Sequence, residues 1–192
     1  MLTSLTKTLV LFATCAGIAI AAPVDYTIDP THTYPSFEAD HMGMSLWRGK
    51  FNKTSGKVSL DKGAGQGTLE VVVDIASVDF GLEMMNKAAL GAELFEAKKY
   101  PRATFKGKLE GFVNGAPSRA SGELTLHGVT RPVVLTINSF KCMPHPMLKR
   151  DWCGADARVV LNREEFGMAA GKDYGFRMDV ELRVMVEAVA AR

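Results

Sequence analysis

Apolar and polar positions alternate with a period of two along most of this chain. The clearest stretch runs Phe176-Arg177-Met178-Asp179-Val180-Glu181-Leu182-Arg183-Val184, where every even position is apolar and every odd one charged. Successive side chains of a strand point to opposite faces, so this pattern predicts a strand with one dry side and one wet side. The same rule reads strands through Leu69, Val71, Val73 and Ile75, through Phe105, Gly107 and Leu109, and through Leu124 and Leu126. After a turn at His127-Gly128 it continues through Val133, Leu135 and Ile137, then through Ala155, Ala157, Val159 and Leu161. Near the start, Pro35, Phe37, Ala39 and His41 share one face, and Gly49, Phe51, Val58 and Leu60 mark two short strands. About eight strands joined by glycine-bearing turns predict a sandwich or a barrel. One helix is predicted around Leu82 to Leu90, with a second helical turn over Ala92 to Lys99. No linker, tandem repeat or low-complexity stretch divides the 192 residues, which suit one domain.

The first residues break the pattern. Leu9 to Ile20 is an uncharged apolar run behind a single lysine, Lys7. Twelve residues are too few to cross a bilayer, which takes about 20. The run ends in Ala19-Ile20-Ala21, a small-x-small site that predicts a signal peptide over 1–21, cleaved after Ala21. The mature protein would cover 22–192, be exported to the periplasm and carry no transmembrane segment. Cys15 lies in mid-run without a leucine three residues before it, which argues against a lipid anchor there.

Export changes how the cysteines read. Cys15 would leave with the signal, and Cys142 and Cys153 remain as an even pair in an oxidising compartment, which predicts a disulfide. The segment between them holds Pro144 and Pro146, as a hairpin connection would. The competing readings are a redox pair and a metal site that adds His145, but redox cysteines usually lie closer in sequence and that metal set lacks a fourth ligand. Overall charge is less informative. Lys plus Arg is 23 against 21 Asp plus Glu, without a basic stripe, so a nucleic-acid partner is not expected. Eighteen glycines and eight prolines fit a turn-rich all-β chain.

Among all-β architectures, an outer-membrane barrel would need aromatic girdles, and aromatics are only 8% of the chain. An immunoglobulin-type sandwich would separate its inter-sheet cysteines much further in sequence. An eight-stranded antiparallel up-and-down barrel with one or two short helices remains, wide enough inside for one slim ligand.

Several motifs then carry a family resemblance. Asp29-Pro30-Thr31-His32, followed by Phe37, His41 and Gly49-Lys50-Phe51, resembles the opening of the YceI-like family of polyisoprenoid-binding proteins. Leu94-Phe95-Glu96-Ala97-Lys98-Lys99-Tyr100-Pro101 with Thr104-Phe105 resembles its middle motif, and Gly122 to Pro132 (GELTLHGVTRP) its most recognisable stretch. Asn162 to Met168 and Tyr174-Gly175-Phe176 complete a match in order over nearly the whole mature chain. The resemblance implies an exported, lipocalin-like barrel whose apolar lumen holds an isoprenoid or other lipid-like tail. The chain departs from the family where a histidine and a basic residue are expected before the Leu-Phe motif: it has Ala88 and Leu90, with Gly91 in place of a common serine.

The search for chemistry finds no nucleophile elbow, P-loop or zinc-binding helix motif. Gly63 to Gly67 precedes a strand and reads as a turn. His32 and His127 read as turn or surface hydrogen-bonders, and His41 either as a polar contact in the lumen or as a histidine satisfied at the rim. Lys98, Lys99 and Arg102 are candidates to meet an anionic head group. The expected ligand-binding wall is Phe37, His41, Phe51, Leu69, Val71, Val73, Phe105, Leu124, Leu126, Leu135, Ile137, Phe176, Met178, Val180 and Leu182. The function read from these features is a non-enzymatic carrier of an isoprenoid or fatty-acyl lipid. No cofactor is expected beyond a bound polyprenyl or quinone tail, and a homodimer is left open. The alternative is a lipid- or quinone-linked enzyme or redox partner that uses Cys142 and Cys153.

Overall fold

The computed structural model describes residues 22–192, so the signal segment 1–21 and Cys15 lie outside the described residues. Eleven strands form one antiparallel sheet: β1 (Val24–Ile28), β2 (Tyr34–His41), β3 (Ser45–Phe51), β4 (Thr54–Asp61), β5 (Gln66–Asp74), β6 (Val78–Asp79), β7 (Arg102–Glu110), β8 (Arg119–Leu126), β9 (Val129–Pro144), β10 (Asp151–Asn162) and β11 (Asp179–Ala190). Among the described residues a single α-helix, α1 (Glu83–Ala89), lies between β6 and β7. The strand order β1-β4-β5-β7-β8-β9-β10-β11 returns to β1, while β2, β3 and β6 continue from β11. Strands β1 and β2 are two halves of one interrupted strand, as are β3 with β4 and β5 with β6, since β2 pairs with β3 as β1 pairs with β4. The result is a closed eight-stranded up-and-down barrel, as the alternation predicts.

Two of these three interruptions have a clear local cause. Between β1 and β2, Pro30 has no N–H to give to a ladder. Asp29 instead closes a turn, its carboxylate accepting from the Thr31 N–H at 2.8 Å and the Thr31 hydroxyl at 2.7 Å. The ladder to β11 is carried across the gap by buried Thr33, whose hydroxyl donates to the Glu187 carbonyl and accepts from the Glu187 N–H. Between β5 and β6, a 3-10 turn over Ile75–Ser77 is capped by Asp74, which accepts from the Ala76 N–H at 3.0 Å. Gly49 is a required gap of another kind. It faces Phe37 across the β2–β3 ladder, and a Cβ there would come within 2.5 Å of the Phe37 ring.

These breaks divide the barrel into two ends. The lower end carries the β4–β5, β7–β8 and β9–β10 connections, and its core is built on Tyr26, Ile28, Leu60, Cys153, Ala188 and Ala190. The upper end carries the β2–β3 hairpin, the segment 80–101, the β8–β9 turn and the segment 163–178. There Phe37, Phe51, Ile75, Val78, Ala89 and Ala103 pack together. The helix is shorter than the sequence predicts, and residues 92–99 form turns rather than a second helical turn. Strand β11 begins at Asp179, not Phe176, because positive-φ glycines at 171 and 175 keep the preceding residues irregular.

Candidate functional site

The inward faces of the strands enclose two apolar spaces. The lower one is a cavity of about 160 Å³ reached by Tyr26, Leu69, Val71, Phe105, Leu135 and Ile137, among others. The upper one measures about 320 Å³ and takes in Phe37, Phe51, Phe95, Leu126, Phe176 and Val180. Pro35, Val73, Ala103, Leu124 and Leu182 line both, so the two are compartments of one tube along the barrel axis. All of the expected wall residues except His41 and Met178 line one compartment or both.

Those two are corrections. The His41 ring is stacked on Trp47 with centroids 4.2 Å apart and meets the edge of Phe176 at 5.1 Å. Trp47 lines the cavity and His41 lies behind it at the rim. Met178 is buried, but it sits just before β11, where strand alternation does not yet apply. Its carbonyl accepts from the Arg163 N–H at 2.9 Å and so ties down the preceding segment.

The loops and α1 supply wall residues that the alternation could not reveal. Phe80, Met85, Leu94, Phe95, Phe166 and Met168 all line the upper compartment, and none lies on a strand. Phe95 packs edge-on against Phe51 at 5.5 Å and Phe37 at 6.3 Å, which draws the segment 91–101 over the barrel end. The available signal was the Leu94-Phe95 pair within an otherwise polar stretch.

Two charged residues also line the upper compartment, Asp40 and Arg163, and both are engaged by the protein itself. Burial works against the charge on Asp40. The Arg177 and Gly43 N–H groups and the Arg177 guanidinium outweigh it and hold the carboxyl below the usual carboxylate range. Arg163 donates to the carbonyls of Met168 and Ala170, and burial lowers its pKa while Glu164 opposes that shift. None of Lys98, Lys99 and Arg102 lines the cavity, and Lys99 is paired with Glu96 at 3.5 Å.

At the lower end, Cys142 and Cys153 are bonded across a directly paired position of β9 and β10, and Cys153 reaches the lower compartment. Asp151 lies beside them, receiving the Tyr26 hydroxyl at 2.7 Å and the Lys62 ammonium at 2.8 Å. Burial first, and then Asp151, push the Tyr26 phenol well above its ordinary pKa. His145 is not part of this cluster. Its Nδ1 accepts from the N–H groups of Met147 and Leu148, and the ring packs on Trp152.

Comparison with known proteins agrees with this architecture. The sequence profile of the YceI-like domain matches residues 26–189. A UPF0312 protein of Vibrio cholerae serotype O1 is 34% identical over 193 residues, covering 95% of this chain and 98% of its own length. A second UPF0312 protein, from Vibrio parahaemolyticus, is 36% identical over 133 residues, 65% of this chain and 70% of its own. Among solved structures, BcnA of Burkholderia cenocepacia superposes with a TM-score of 0.69 at 22% identity, over 83% of this chain and 98% of its own. A polyisoprenoid binding domain from Saccharophagus degradans superposes at 0.62 and 19% identity, over 88% and 99%. The motif order, the closed eight-stranded barrel and the profile match converge: the chain belongs to the YceI-like family.

Proposed function

We propose that this lipid-binding barrel is an exported, periplasmic carrier that holds one isoprenoid or similarly apolar tail in the tube and performs no chemistry on it. The observation that carries the reading is the tube itself. It is apolar along its length, and its two charged wall residues already have protein partners. The polyisoprenoid binding described for the Saccharophagus domain supports the same ligand class. The apolar run before Ala21 supports export.

Size narrows the ligand. The two compartments together hold roughly 480 Å³, and a dry cavity of about 150 Å³ accommodates benzene, so the tube suits about 15–20 carbons. That is three or four isoprene units. At about 0.8 kcal/mol per carbon, fifteen carbons gain on the order of 12 kcal/mol on leaving water. That sum stands against association costs of roughly 4–15 kcal/mol. A tail of this length therefore binds usefully and leaves little affinity for a head group to add. With Ala88 and Leu90 at two positions where polar groups are expected, neither of these positions offers a head group a charge.

Mass spectrometry of an organic extract from protein purified from the periplasm tests the proposal, followed by titration with farnesol and geranylgeraniol. A co-purifying lipid and micromolar or tighter binding are expected. Protein that carries no lipid and ignores both alcohols would show that the barrel is a filled core.

A further inference from the structure

His127 occupies an unusual position for a turn residue. It has a φ of +51°, its side chain is only 13% exposed, and Nδ1 lies 3.0 Å from the Phe166 carbonyl oxygen. A carbonyl can only accept, so Nδ1 carries a proton in either charge state of the ring. In the neutral ring Nε2 is therefore a bare lone pair. That atom is buried without a hydrogen-bond partner, and Glu96 Oε2 faces it at 3.7 Å. A lone pair facing a carboxylate gains nothing, whereas a proton added there converts the contact into a charge-assisted bond.

The contact joins three parts of the upper end. Glu96 follows Phe95 and Leu94, which line the upper compartment, and Phe166 lines it from the opposite segment. The segment Gly91–Tyr100 is bonded within itself and to α1, through Phe95 N–H to Ala89 O and Ala97 N–H to Leu90 O. Among the described residues, Glu96 to His127 is the one polar link from this segment to a strand, turn or loop outside residues 82–101. Its other attachments are apolar. The Tyr100 ring lies against His127 at 4.5 Å and fills the space over Gly128, where a Cβ would come within 2.5 Å of it.

We propose that His127 and Glu96 form a proton-operated latch: the protonated ring holds the segment Gly91–Tyr100 closed over the upper compartment, and the neutral ring releases it. The gating role rests on the lipid-binding reading above; the latch itself does not. Histidine changes charge between about pH 5 and 8, so the latch engages toward the acidic end of that range. The groups around the ring are few. Glu96 faces it from the covering segment, with Lys99 behind Glu96 at 3.5 Å, and Tyr100 contributes its ring. The 3-10 turn Arg163–Phe166 presents the Phe166 carbonyl, while its Glu164 is paired with Lys172 and its Arg163 with the carbonyls of Met168 and Ala170. Closure is strongest when His127 is charged and is lost as pH rises.

Two measurements separate the latch from the carrier reading. The first follows the His127 ring by NMR in ligand-free protein, comparing wild type with Glu96→Gln. In wild type the His127 ring signals and the backbone amide signals of Leu94 to Ala97 move together as pH changes, and in the variant the amide signals no longer follow the ring; signals that are uncoupled in wild type overturn the latch. The second loads the protein with N-phenyl-1-naphthylamine, which is uncharged over this range, and follows its release into phosphatidylcholine vesicles at pH 5.5 and pH 8. Release is about three- to tenfold slower at pH 5.5. The difference disappears in Glu96→Gln and in His127→Asn, where asparagine tolerates the left-handed turn and can still reach Phe166 but takes no proton. Release that does not depend on pH, or a dependence that persists in both variants, overturns the gating role. Coupled signals in protein that binds no probe keep the ion pair and reject the carrier reading together with its gate.

Discussion

The two ends of the barrel hold the same kind of space by different means. Regular strands wall the lower compartment, with every other residue pointing in and a disulfide and the Tyr26–Asp151–Lys62 cluster at its base. Loops and α1 complete the upper compartment, through Phe80, Met85, Leu94, Phe95, Phe166 and Met168, and it is twice as large. Ladder hydrogen bonds resist local opening, whereas a loop held by a few apolar contacts and one ion pair opens at low cost. On the proposed carrier reading, the lower end would bury a tail and the upper end would admit it. Each of the following measurements would break or sharpen that division.

The largest effect is expected at the wall common to both regions, on β11. Val180 lines the upper compartment, while its neighbour Glu181 points outward and pairs with Arg183 at 3.1 Å. Val180→Arg places an unpaired charge in an apolar tube, which costs several kcal/mol. The variant is expected to fail to fold or to lose lipid uptake altogether. Glu181→Arg on the outer face changes stability by less than about 1 kcal/mol and leaves binding intact. Denaturant titration and farnesol binding of the two variants check the contrast, and equal effects would mean that strand alternation does not define the lumen.

Next comes the lower end alone. The loop of residues between Cys142 and Cys153 spans a sequence separation of 11, so its cross-link restricts the unfolded chain by about 2–4 kcal/mol. Replacing both cysteines with alanine is expected to lower stability by that amount while farnesol affinity changes less than about threefold. Lost binding with unchanged stability would favour a redox use of the pair and would move function to the lower end. Mature, unreduced protein is also expected to expose no free thiol.

How much of this division was legible in the sequence follows from the physics of each end. Period-two alternation encodes which face of a strand is dry, so Leu69, Val71, Phe105, Leu135 and Ile137 could be placed in the lumen from the pattern alone. Loops carry no such period. Phe95 and Phe166 look like isolated aromatics until the chain folds back, and their inward position depends on backbone turns with positive φ at Glu96 and Gly167. Met178 misleads for a related reason: the alternation of apolar and charged residues begins before the strand does. His41 fails differently. It lies on the expected face of β2, but Trp47, its diagonal neighbour on β3, is larger and takes the contact. The partnership of His127 with Glu96 joins residues 31 positions apart, through a turn and a loop, and no local pattern announces it.

The junction between the compartments offers a smaller and more selective effect. Val73 lines both, so Val73→Phe narrows the neck without adding charge. Overpacking there costs about 1–3 kcal/mol, but the informative readout is tail length. If tails pass through the upper compartment into the lower one, the variant loses affinity for geranylgeraniol by about tenfold while a ten-carbon isoprenoid alcohol, geraniol, still fits above the block. That factor is the equivalent of roughly two buried carbons. Parallel losses for both alcohols would mean that the lower compartment never holds ligand.

The smallest effect belongs to the turn that separates the two halves of the first strand. Burial opposes the charge on Asp29, yet the Thr31 hydroxyl, His32 and the Thr31 N–H together bring its pKa down to about 2. A carboxyl in the unfolded chain titrates near 3.9. The folded state therefore binds this proton less readily, and the stabilisation is complete above about pH 4 and lost as pH falls toward 2. Asp29→Asn removes the charge but keeps an oxygen that can accept the Thr31 N–H, so the variant lacks only the pH-dependent part. At pH 6 it is expected to be about 1 kcal/mol less stable than wild type, a figure reduced for solvent screening because the site lies near the surface. The gap should close as both proteins are titrated toward pH 2. Denaturant midpoints at half-unit steps between pH 6 and 2 measure it. A gap that stays constant would mean that the amide introduced by Asp29→Asn disrupts the turn itself, and that the β1–β2 break is held by Thr33 and the β11 ladder rather than by this carboxylate.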